Sequence, residues 1–456
     1  MRSSGIRPSL AVAAAAAVMA CVSACDSAAP YLRSGASAGD APAATAPNGL
    51  VPTSVTVPPE LASAPFDTPR EALAPAGWTM SVWARVPKAR LAAWAPDGTL
   101  LVSRPTAGQV VRLVPDASGA IASVLLDGLD QPHGLAFQDS TLYVAESDSV
   151  DAYDYTAGVA SARRTVAPGL PDARSPELGG AYGHALKSVA IGPDRSIYLS
   201  IGSTGNISAN DRDANPQRAS IMRVPPGGGA MEVFARGVRN GTGLALAPDG
   251  SVWTAVNNRD NIQYPYDRGY GGESGSSQGD VIPEYLADHP PEELARLTPG
   301  RDLGWPYCNP DQDVEPGMAG TTYNHVRPRF VPDVQTNPDG DQLNCAALPP
   351  IERTFDAHAA PLGLSFTTTL PAPYRQGALV GIHGSWNRTP PRAPEVSFFP
   401  WAGGTLGPQQ TLVGGFQAAN GSRWGRPVAA VQGPDGAVYI TDDAADAVYR
   451  LAPPAA

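Results

Sequence analysis

The chain has 456 residues, of which 32 are Lys or Arg and 43 are Asp or Glu, so its formal net charge is −11. This acidic balance argues against nucleic acid or an anionic membrane face as a general partner, because both repel negative charge. An anionic ligand would therefore have to be bound by arginines that gather locally in the fold.

The first 24 residues have the pattern of a lipoprotein signal peptide. Arg2 and Arg7 form a positive start, and the alanine-rich apolar run from Leu10 to Val22 is too short to span a membrane. Small residues then precede Cys25, which stands at the position of the acylated cysteine in a lipobox. We expect an exported protein that is anchored through Cys25 to the outer face of the cell membrane. In the alternative, an ordinary secretory signal, Cys25 is incidental.

Loss of residues 1–24 removes two arginines and no acid, which lowers the charge from −11 to −13. Residues 25–68 are rich in Ala, Ser, Pro, Gly and Thr, with few large apolar side chains. Such a segment cannot bury enough surface to offset the entropy of ordering, so we predict a flexible tether that ends at residue 68.

Two cysteines remain once Cys21 in the signal and the lipid-bearing Cys25 are set aside. They are Cys308 and Cys345, and in an oxidising, exported setting a disulfide between them is the default expectation. No C-x-x-C-H motif occurs, so the chain carries no covalently attached c-type haem.

Residues 69–456 repeat one pattern six times: an apolar strand, a turn of Pro-Asp-Gly type and a second strand rich in β-branched residues. The clearest copies are Leu91 to Ser103, Ser188 to Ser200, Thr242 to Val256 and Pro427 to Thr441, and looser copies begin at Gly134 and Gly363. At four strands per blade, six repeats predict an all-β domain, a six-bladed β-propeller.

Two other architectures compete with the six-bladed propeller. Strands hidden between Gln263 and Arg301 would raise the blade count to seven or eight. A pair of β-sandwiches would not repeat a single strand–turn–strand pattern. The only helical candidate is a short turn from Pro291 to Leu297.

In a propeller, the loop that enters each inner strand and the loop that leaves the second strand open on the same face of the channel. Four of the six histidines and several arginines fall at these positions. The complete set is Arg104, Asp130, Gln131, His133, Gly183, His184, 203–206, Arg239, Asn240, 257–260, His358, 383–388, Trp424, Arg426, Asp442 and Asp443. Rim loops are polar in any propeller, so part of this set needs no functional explanation. The gathering of histidine and arginine nevertheless predicts a cationic site for a small acidic molecule.

Short motifs occur at this rim in a characteristic order: Gly183-His184, Gly237-Val-Arg-Asn240, Val256-Asn-Asn-Arg-Asp260, Gly304-Trp-Pro-Tyr307, Ala360-Pro-Leu-Gly363, His383-Gly-Ser-Trp-Asn-Arg388, Trp424-Gly-Arg-Pro427 and Asp442-Asp443. From about Gly77 to Leu451 their order and spacing resemble the quinoprotein glucose/sorbosone dehydrogenases, most closely the sorbosone-type branch. The resemblance implies oxidation of a sugar or a sugar-derived alcohol or aldehyde by hydride transfer to pyrroloquinoline quinone (PQQ), with calcium as a second cofactor. Electrons would then pass to a separate acceptor, a cytochrome or a membrane quinone.

The resemblance also implies roles for matching residues. His184 would be the general base, and Arg239 would stabilise charge on the quinone oxygens, which makes these two the predicted catalytic residues. Backbone carbonyls at Asn258 and Arg259 would bind calcium, a hard cation that prefers oxygen ligands. The predicted cofactor-binding residues are Arg104, Lys187, Arg239, Asn240, His383, Trp386, Asn387, Arg388, Trp424 and Arg426.

Two features depart from the family pattern. The glucose enzymes orient the catalytic histidine with an aspartate, whereas the corresponding position here is Ser203. The base could instead be held by Asn206, by water or by nothing. The second departure is a Gly/Ser-rich insertion between Asn261 and Gly304, whose acidic residues either bind a second calcium or lie on a solvated loop; they are Asp267, Glu273 and Asp280.

Two other classes of function stay open: a calcium-dependent lactonase of the gluconolactonase type, and a non-catalytic binding propeller. A lactonase needs acidic side chains on its metal, whereas this rim offers mostly Asn, Arg and His. A binding module has no need for His184 together with Arg239 and Asn240. Nicotinamide chemistry is disfavoured because no strand–GxGxxG–helix unit is present.

Overall fold

The structure is a computed structural model that describes residues 49–454. The described strands form seven sheets, of which six are the blades of a β-propeller and one is a two-stranded hairpin, so the predicted fold is confirmed. In the described part of the chain, no helix is long and apolar enough to cross a membrane.

Blades 1 to 3 follow one another along the chain, each with its inner strand first. Blade 1 contains Ala92–Trp94, Leu100–Arg104, Gln109–Asp116 and Gly119–Leu126. Blade 2 contains Leu135–Gln138, Thr141–Ala145, Val150–Thr156 and Val159–Ala167. Blade 3 contains Val189–Ile191, Ile197–Ile201, Ser220–Val224 and Glu232–Arg236, to which Arg301–Asp302 adds in parallel.

Blades 4 and 5 continue the same order. Blade 4 contains Gly243–Leu246, Val252–Val256, Glu292–Leu297 and Arg353–Phe355. Blade 5 contains Pro361–Thr367, Gly377–Ile382, Glu395–Ala402, Thr405–Leu406 and Gln410–Val413. The predicted helical turn from Pro291 to Leu297 is therefore wrong, because this segment supplies the third strand of blade 4.

Blade 6 closes the ring by joining the two ends of the described chain. Its strands are Pro427–Gln432, Val438–Asp442, Ala447–Ala452 and the N-terminal Thr79–Arg85, and the last two pair antiparallel. Each inner strand contacts the inner strand of the next blade, and the inner strand of blade 6 contacts that of blade 1. The approach is close enough that a methyl group at Gly363 would lie 2.6 Å from Ala429 Cβ.

The predicted tether is wrong over residues 50–68, which belong to the propeller. Leu50–Thr56 pairs with Glu71–Pro75 and extends the sheet of blade 6. Phe66 is buried against Trp424 and Tyr449, at ring-centroid distances of 6.4 and 6.0 Å. The tether was predicted from the average composition of residues 25–68, and in that average the alanine-rich part hides the short strand Leu50–Thr56. Residues 25–48, and the predicted signal peptide with Cys25, lie outside the described residues.

An excursion between Leu303 and Glu352 carries a hairpin of Cys308–Asp311 and Arg329–Pro332. The predicted disulfide between Cys308 and Cys345 is confirmed, with the two Cα atoms 5.6 Å apart. The remaining helical segments are the α-helical turn Pro283–Leu286 and the 3₁₀ turns Pro59–Leu61, Pro105–Ala107, Pro176–Leu178, Ala209–Arg212, Tyr270–Gly272 and Cys345–Ala347.

Candidate active site

The predicted rim residues lie at one end of the channel and are connected from blade to blade. The Ser203 backbone nitrogen donates to the Arg239 carbonyl at 2.8 Å, which joins blades 3 and 4. Arg426 Nε donates to the His383 carbonyl at 3.0 Å, which joins blades 6 and 5. The loops that bear the predicted catalytic and cofactor-binding residues therefore share one face.

Ser203, which stands where an aspartate was expected, holds the imidazole of His184. His184 Nδ1 lies 2.9 Å from Ser203 Oγ and 3.1 Å from the Ser203 carbonyl oxygen. Because the Ser203 hydroxyl donates to the Gly205 carbonyl at 2.7 Å, both oxygens that face Nδ1 are acceptors, and Nδ1 carries the ring proton. His184 Nε2 thus keeps its lone pair, and it has no hydrogen-bond partner among the described residues.

The environment of His184 favours a neutral base. Burial, reinforced by the positive charge of Arg239, lowers the pKa of His184 to about 3. A methyl group at Gly202 would lie 2.6 Å from His184 Cβ and 3.3 Å from Asn240 Oδ1, so these two side chains flank the same glycine. The Asn240 carboxamide has no partner within residues 49–454, which leaves it available to a ligand.

The guanidinium of Arg239 binds backbone oxygens instead of a carboxylate. Nη1 donates to the carbonyls of Asn257 at 3.1 Å and Asn258 at 2.7 Å. Nε and Nη2 donate to the carbonyl and the side-chain oxygen of Asn206, at 3.2 and 3.1 Å. Burial lowers the pKa of Arg239 to about 10, so the group stays charged at neutral pH. Asn206, one of the residues considered for holding the base, therefore fixes Arg239 instead.

In the loop predicted to bind calcium, only some of the backbone carbonyl oxygens accept hydrogen bonds from the described part of the protein. The Asn258 carbonyl accepts from Arg239, whereas the Arg259 carbonyl accepts no hydrogen bond from the described residues. The Arg259 side chain is buried and pairs with Asp333 and with Gln335 Oε1, the latter at 2.6 Å. That side chain positions the loop, and a free carbonyl oxygen fits a hard cation.

Two buried glutamates behind this loop were not predicted. Glu292 accepts a hydrogen bond from the Asn258 backbone nitrogen, and Glu293 Oε1 accepts one from Asn258 Nδ2 at 3.3 Å. Burial raises the pKa of Glu292 to about 7 and that of Glu293 well above its usual value. A cation on the loop would favour the ionised glutamates, so they too fit calcium. Two adjacent glutamates in an insertion suggest a solvent-exposed segment. The apolar residues that follow them, Leu294 and Ala295, are the only sequence signal that the segment is a buried strand.

Asp260 and His358 form a second pair beside Arg239. His358 Nδ1 lies 3.1 Å from Asp260 Oδ1, and Nε2 lies 2.7 Å from the Leu286 carbonyl. Although burial opposes both shifts, the contact with Asp260 raises the pKa of His358, and His358 with Arg239 lowers the pKa of Asp260. The pair is therefore held as imidazolium and carboxylate.

On the other side of the rim, His383 and Asp443 are hydrogen-bonded through Nε2 and Oδ1 at 2.7 Å. Burial lowers the pKa of His383 to about 4, so a neutral imidazole donates to the carboxylate. Arg90 also binds Asp443 at 2.8 Å, and together with His383 it holds the pKa of Asp443 well below its usual range despite burial. His383 consequently orients the wall on which Arg426 lies.

Lys187, one of the predicted cofactor residues, is completely buried. Its Nζ donates to the carbonyls of Pro171 at 2.9 Å and Ala185 at 2.5 Å, and it lies 4.7 Å from the Tyr182 ring centroid. Burial lowers the pKa of Lys187 to about 7. Lys187 thus supports the loop that carries His184, and its contact with a cofactor stays a prediction.

Three other predicted cofactor residues have contacts within the protein. Trp424 Nε1 donates to the Gly415 carbonyl at 2.8 Å, and its ring packs against the core of blade 6. Arg104 donates to the Pro87 carbonyl at 2.7 Å, and Arg388 pairs with Asp288 at 2.9 Å. Their contact with a cofactor stays a prediction.

The tip of the 383–388 loop differs from these anchored residues. Trp386 is 73% exposed, whereas the Asn387 side chain hydrogen-bonds Asp260 and helps to lower the pKa of that carboxyl. The free Asn240 carboxamide suits a bound polar ligand. In the insertion, the three acidic side chains considered for calcium are exposed, and none joins a close carboxylate cluster in the described chain; they are Asp267, Glu273 and Asp280.

Solved structures share this fold. The PQQ domain of a pyranose dehydrogenase from Coprinopsis cinerea, in holo form, matches with a TM-score of 0.67 and 20% identity over 87% of this chain and 98% of that one. The calcium structure of a Carbohydrate-Active Enzymes family AA12 protein from Trichoderma reesei matches with a TM-score of 0.64 and 20% identity over 83% and 96%. The soluble aldose sugar dehydrogenase from Escherichia coli matches with a TM-score of 0.53 and 12% identity over 82% and 99%.

A curated relative, an uncharacterised protein of Borreliella burgdorferi, is 24% identical over 264 residues, and the chain spans 57% of that relative's length. The finer assignment to a sorbosone-type branch stays a prediction. The family model described as TrAA12-like matches residues 72–453, which include all six blades, and the chain therefore belongs to the TrAA12-like family.

Proposed function

We propose that this chain is a PQQ- and calcium-dependent oxidoreductase that oxidises a sugar or a sugar-derived alcohol or aldehyde. The observation that carries the proposal is the tautomer of His184, which presents an unpaired Nε2 lone pair next to a charged guanidinium. Membership of the TrAA12-like family supports the same chemistry. So do the similar solved structures, which include the PQQ domain of a pyranose dehydrogenase and a calcium structure of an AA12 protein.

The residues of the rim have distinct tasks in this proposal. His184 Nε2 accepts the hydroxyl proton of the substrate, while Ser203 keeps the ring oriented. Asn240 and Arg239 would hold the quinone oxygens, and Arg426 would bind carboxylates of the cofactor. The carbonyl of Arg259 would contribute to the calcium site. When bound, PQQ supplies the two-electron acceptor and calcium supplies a Lewis acid beside it.

Reconstitution of the purified protein with PQQ and calcium tests this function. We expect sugar-dependent reduction of an electron-accepting dye, and we expect His184→Ala to lower turnover by at least about 100-fold with nearly unchanged PQQ affinity. Arg426→Ala is the complementary variant, in which PQQ affinity falls. Wild-type turnover in His184→Ala would remove this residue from the mechanism, and lactone hydrolysis with calcium alone would favour the hydrolase instead.

The cellular setting is part of the proposal. We propose an exported lipoprotein that is anchored through Cys25 and passes its electrons to a separate acceptor, a cytochrome or a membrane quinone. Metabolic labelling with a fatty acid tests the anchor, because a Cys25→Ser variant should lose the label. Retention of the label in that variant would contradict the assignment.

A further inference from the structure

A second cluster of polar residues lies away from the rim, between the insertion and the hairpin that follows it. His289 comes just after the short helical turn, and Asp311 and Asp313 leave the first strand of the hairpin. All three are buried, with 3%, 2% and 5% of their surface exposed. One ligand atom from each lies within 4.8 Å of the others.

The imidazole of His289 directs its Nε2 atom at the two carboxylates. Nδ1 lies 2.9 Å from the Tyr285 carbonyl oxygen, which can only accept, so Nδ1 carries the ring proton. Nε2 lies 2.9 Å from Asp313 Oδ1 and 3.8 Å from Asp311 Oδ1. A buried ring nitrogen this close to carboxylate oxygens requires either a proton or a metal ion between them.

The outer atoms of all three side chains are fixed by further contacts. The His289 ring stacks on Tyr285 at a centroid distance of 3.8 Å. Asp311 Oδ2 accepts from Tyr266 and from Arg329 at 2.8 Å, and Asp313 Oδ2 accepts from the Gly317 nitrogen at 2.8 Å. Asp311 Oδ1 accepts from the Asp313 nitrogen at 3.0 Å, and both Oδ1 atoms lie within 3.8 Å of His289 Nε2. Metal-binding histidines and carboxylates are typically held by such outer contacts.

The cluster needs a positive group beside Asp313. Arg329 pairs with Asp311, whereas Asp313 faces His289, so the positive group is either a proton on the ring or a bound metal ion. The other close carboxylate group, formed by Asp130, Asp148 and Asp172, is bridged by the guanidinium of Arg174. The two clusters therefore differ, since no Lys or Arg side chain of the described residues pairs with both Asp311 and Asp313.

The distances also match those of a metal centre. Two ligands that each lie about 2.1 Å from one ion are roughly 3.0 Å apart at a right angle and roughly 3.8 Å apart at about 130°. These separations correspond to the two Nε2–Oδ1 distances of 2.9 and 3.8 Å. One imidazole nitrogen with two carboxylate oxygens suits a first-row divalent ion such as Zn²⁺.

We propose that His289, Asp311 and Asp313 bind a structural first-row divalent metal ion, which fastens the insertion to the hairpin. The segment that it holds also supports the rim. Leu286 accepts a hydrogen bond from His358, and Glu292 accepts one from the loop predicted to bind calcium. The ion thus stabilises the wall of the candidate active site without touching the ligands of that site.

Metal analysis of the full chain without PQQ or sugar tests this site. We expect wild-type protein to bind about one equivalent of Zn²⁺, to lose thermal stability in EDTA and to regain it with Zn²⁺. Co²⁺ should replace Zn²⁺ and give a visible d–d absorption band. Asp313→Asn is the informative variant, because its amide nitrogen can donate to the neutral His289 ring while its oxygen still accepts from Gly317.

Asp313→Asn should remain folded and bind Zn²⁺ at least about 100-fold more weakly, with no Co²⁺ band. Asp148→Asn, in the cluster already neutralised by Arg174, is the matched control and should keep wild-type metal content. Unchanged metal affinity in Asp313→Asn would overturn the proposal. A wild-type protein whose stability responds neither to EDTA nor to Zn²⁺ would also overturn it, since a proton on His289 would then supply the missing charge. If Asp313→Asn does not fold, the wild-type Co²⁺ spectrum and EDTA response decide the question alone.

Discussion

A single methyl group at Gly202 should displace the proposed general base. In Gly202→Ala the new Cβ would lie 2.6 Å from His184 Cβ and 2.7 Å from the His184 carbonyl oxygen. Carbon atoms prefer separations of at least about 3.5 Å, so His184 would have to move by about 0.9 Å. A misplacement of about 1 Å in a catalytic group lowers turnover by roughly 100-fold, and this is the fall in kcat that we expect.

The matched control lies three residues further along the same loop. Gly205→Ala would place its methyl group in open space, with no heavy atom within 4 Å, and it leaves the carbonyl that binds Ser203 intact. Dye-linked turnover with saturating PQQ and calcium should therefore stay at the wild-type level in Gly205→Ala. Urea denaturation should show a loss of about 1–3 kcal/mol in Gly202→Ala from local overpacking, and a change below about 0.5 kcal/mol in the control. Wild-type kcat in Gly202→Ala would refute the assignment of His184.

Two further predictions concern protonation and packing. Since the pKa of His184 is lowered to about 3, the base stays neutral as pH falls, and kcat/KM should change less than about twofold between pH 7.5 and 5.5. With a histidine of ordinary pKa, kcat/KM would fall about tenfold over the same range. A fall of that size would contradict the structure. Trp424→Phe removes the hydrogen bond to Gly415, so urea denaturation should show a loss of about 2 kcal/mol. Unchanged stability would contradict a supporting role for this hydrogen bond.

The sequence predicted the parts of the fold that repeat, because each repeat specifies a local strand–turn–strand unit. It did not predict that Leu50–Thr56 extends blade 6, since the partners of this strand are set by a ring closed near the other end of the chain. The same limit applies to Glu292, which binds the nitrogen of Asn258, 34 residues away. Contacts of this kind depend on the tertiary arrangement and leave no periodic signal.

The site shows the same division. The order of the motifs predicted which loops meet, and it also placed Ser203 beside His184. It did not predict that the Ser203 hydroxyl donates to the Gly205 carbonyl and therefore accepts a hydrogen bond from His184 Nδ1. Lys187 illustrates a further limit. Its position in the family predicts contact with the cofactor, but the sequence does not show that its Nζ binds two backbone carbonyls.

These carbonyl contacts explain how an acidic protein keeps a cationic rim. Arginines away from the rim are neutralised by carboxylates, as in the pairs of Arg212 with Asp302 and Arg218 with Asp211. Arg239 is instead held by backbone and amide oxygens, and no carboxylate of the described chain comes within salt-bridge distance of it. A carbonyl dipole fixes a guanidinium without cancelling its charge, so the positive potential remains for a guest. Burial opposes the charge of Arg239 and lowers its pKa to about 10, and an anionic ligand would relieve this unfavourable desolvation on binding.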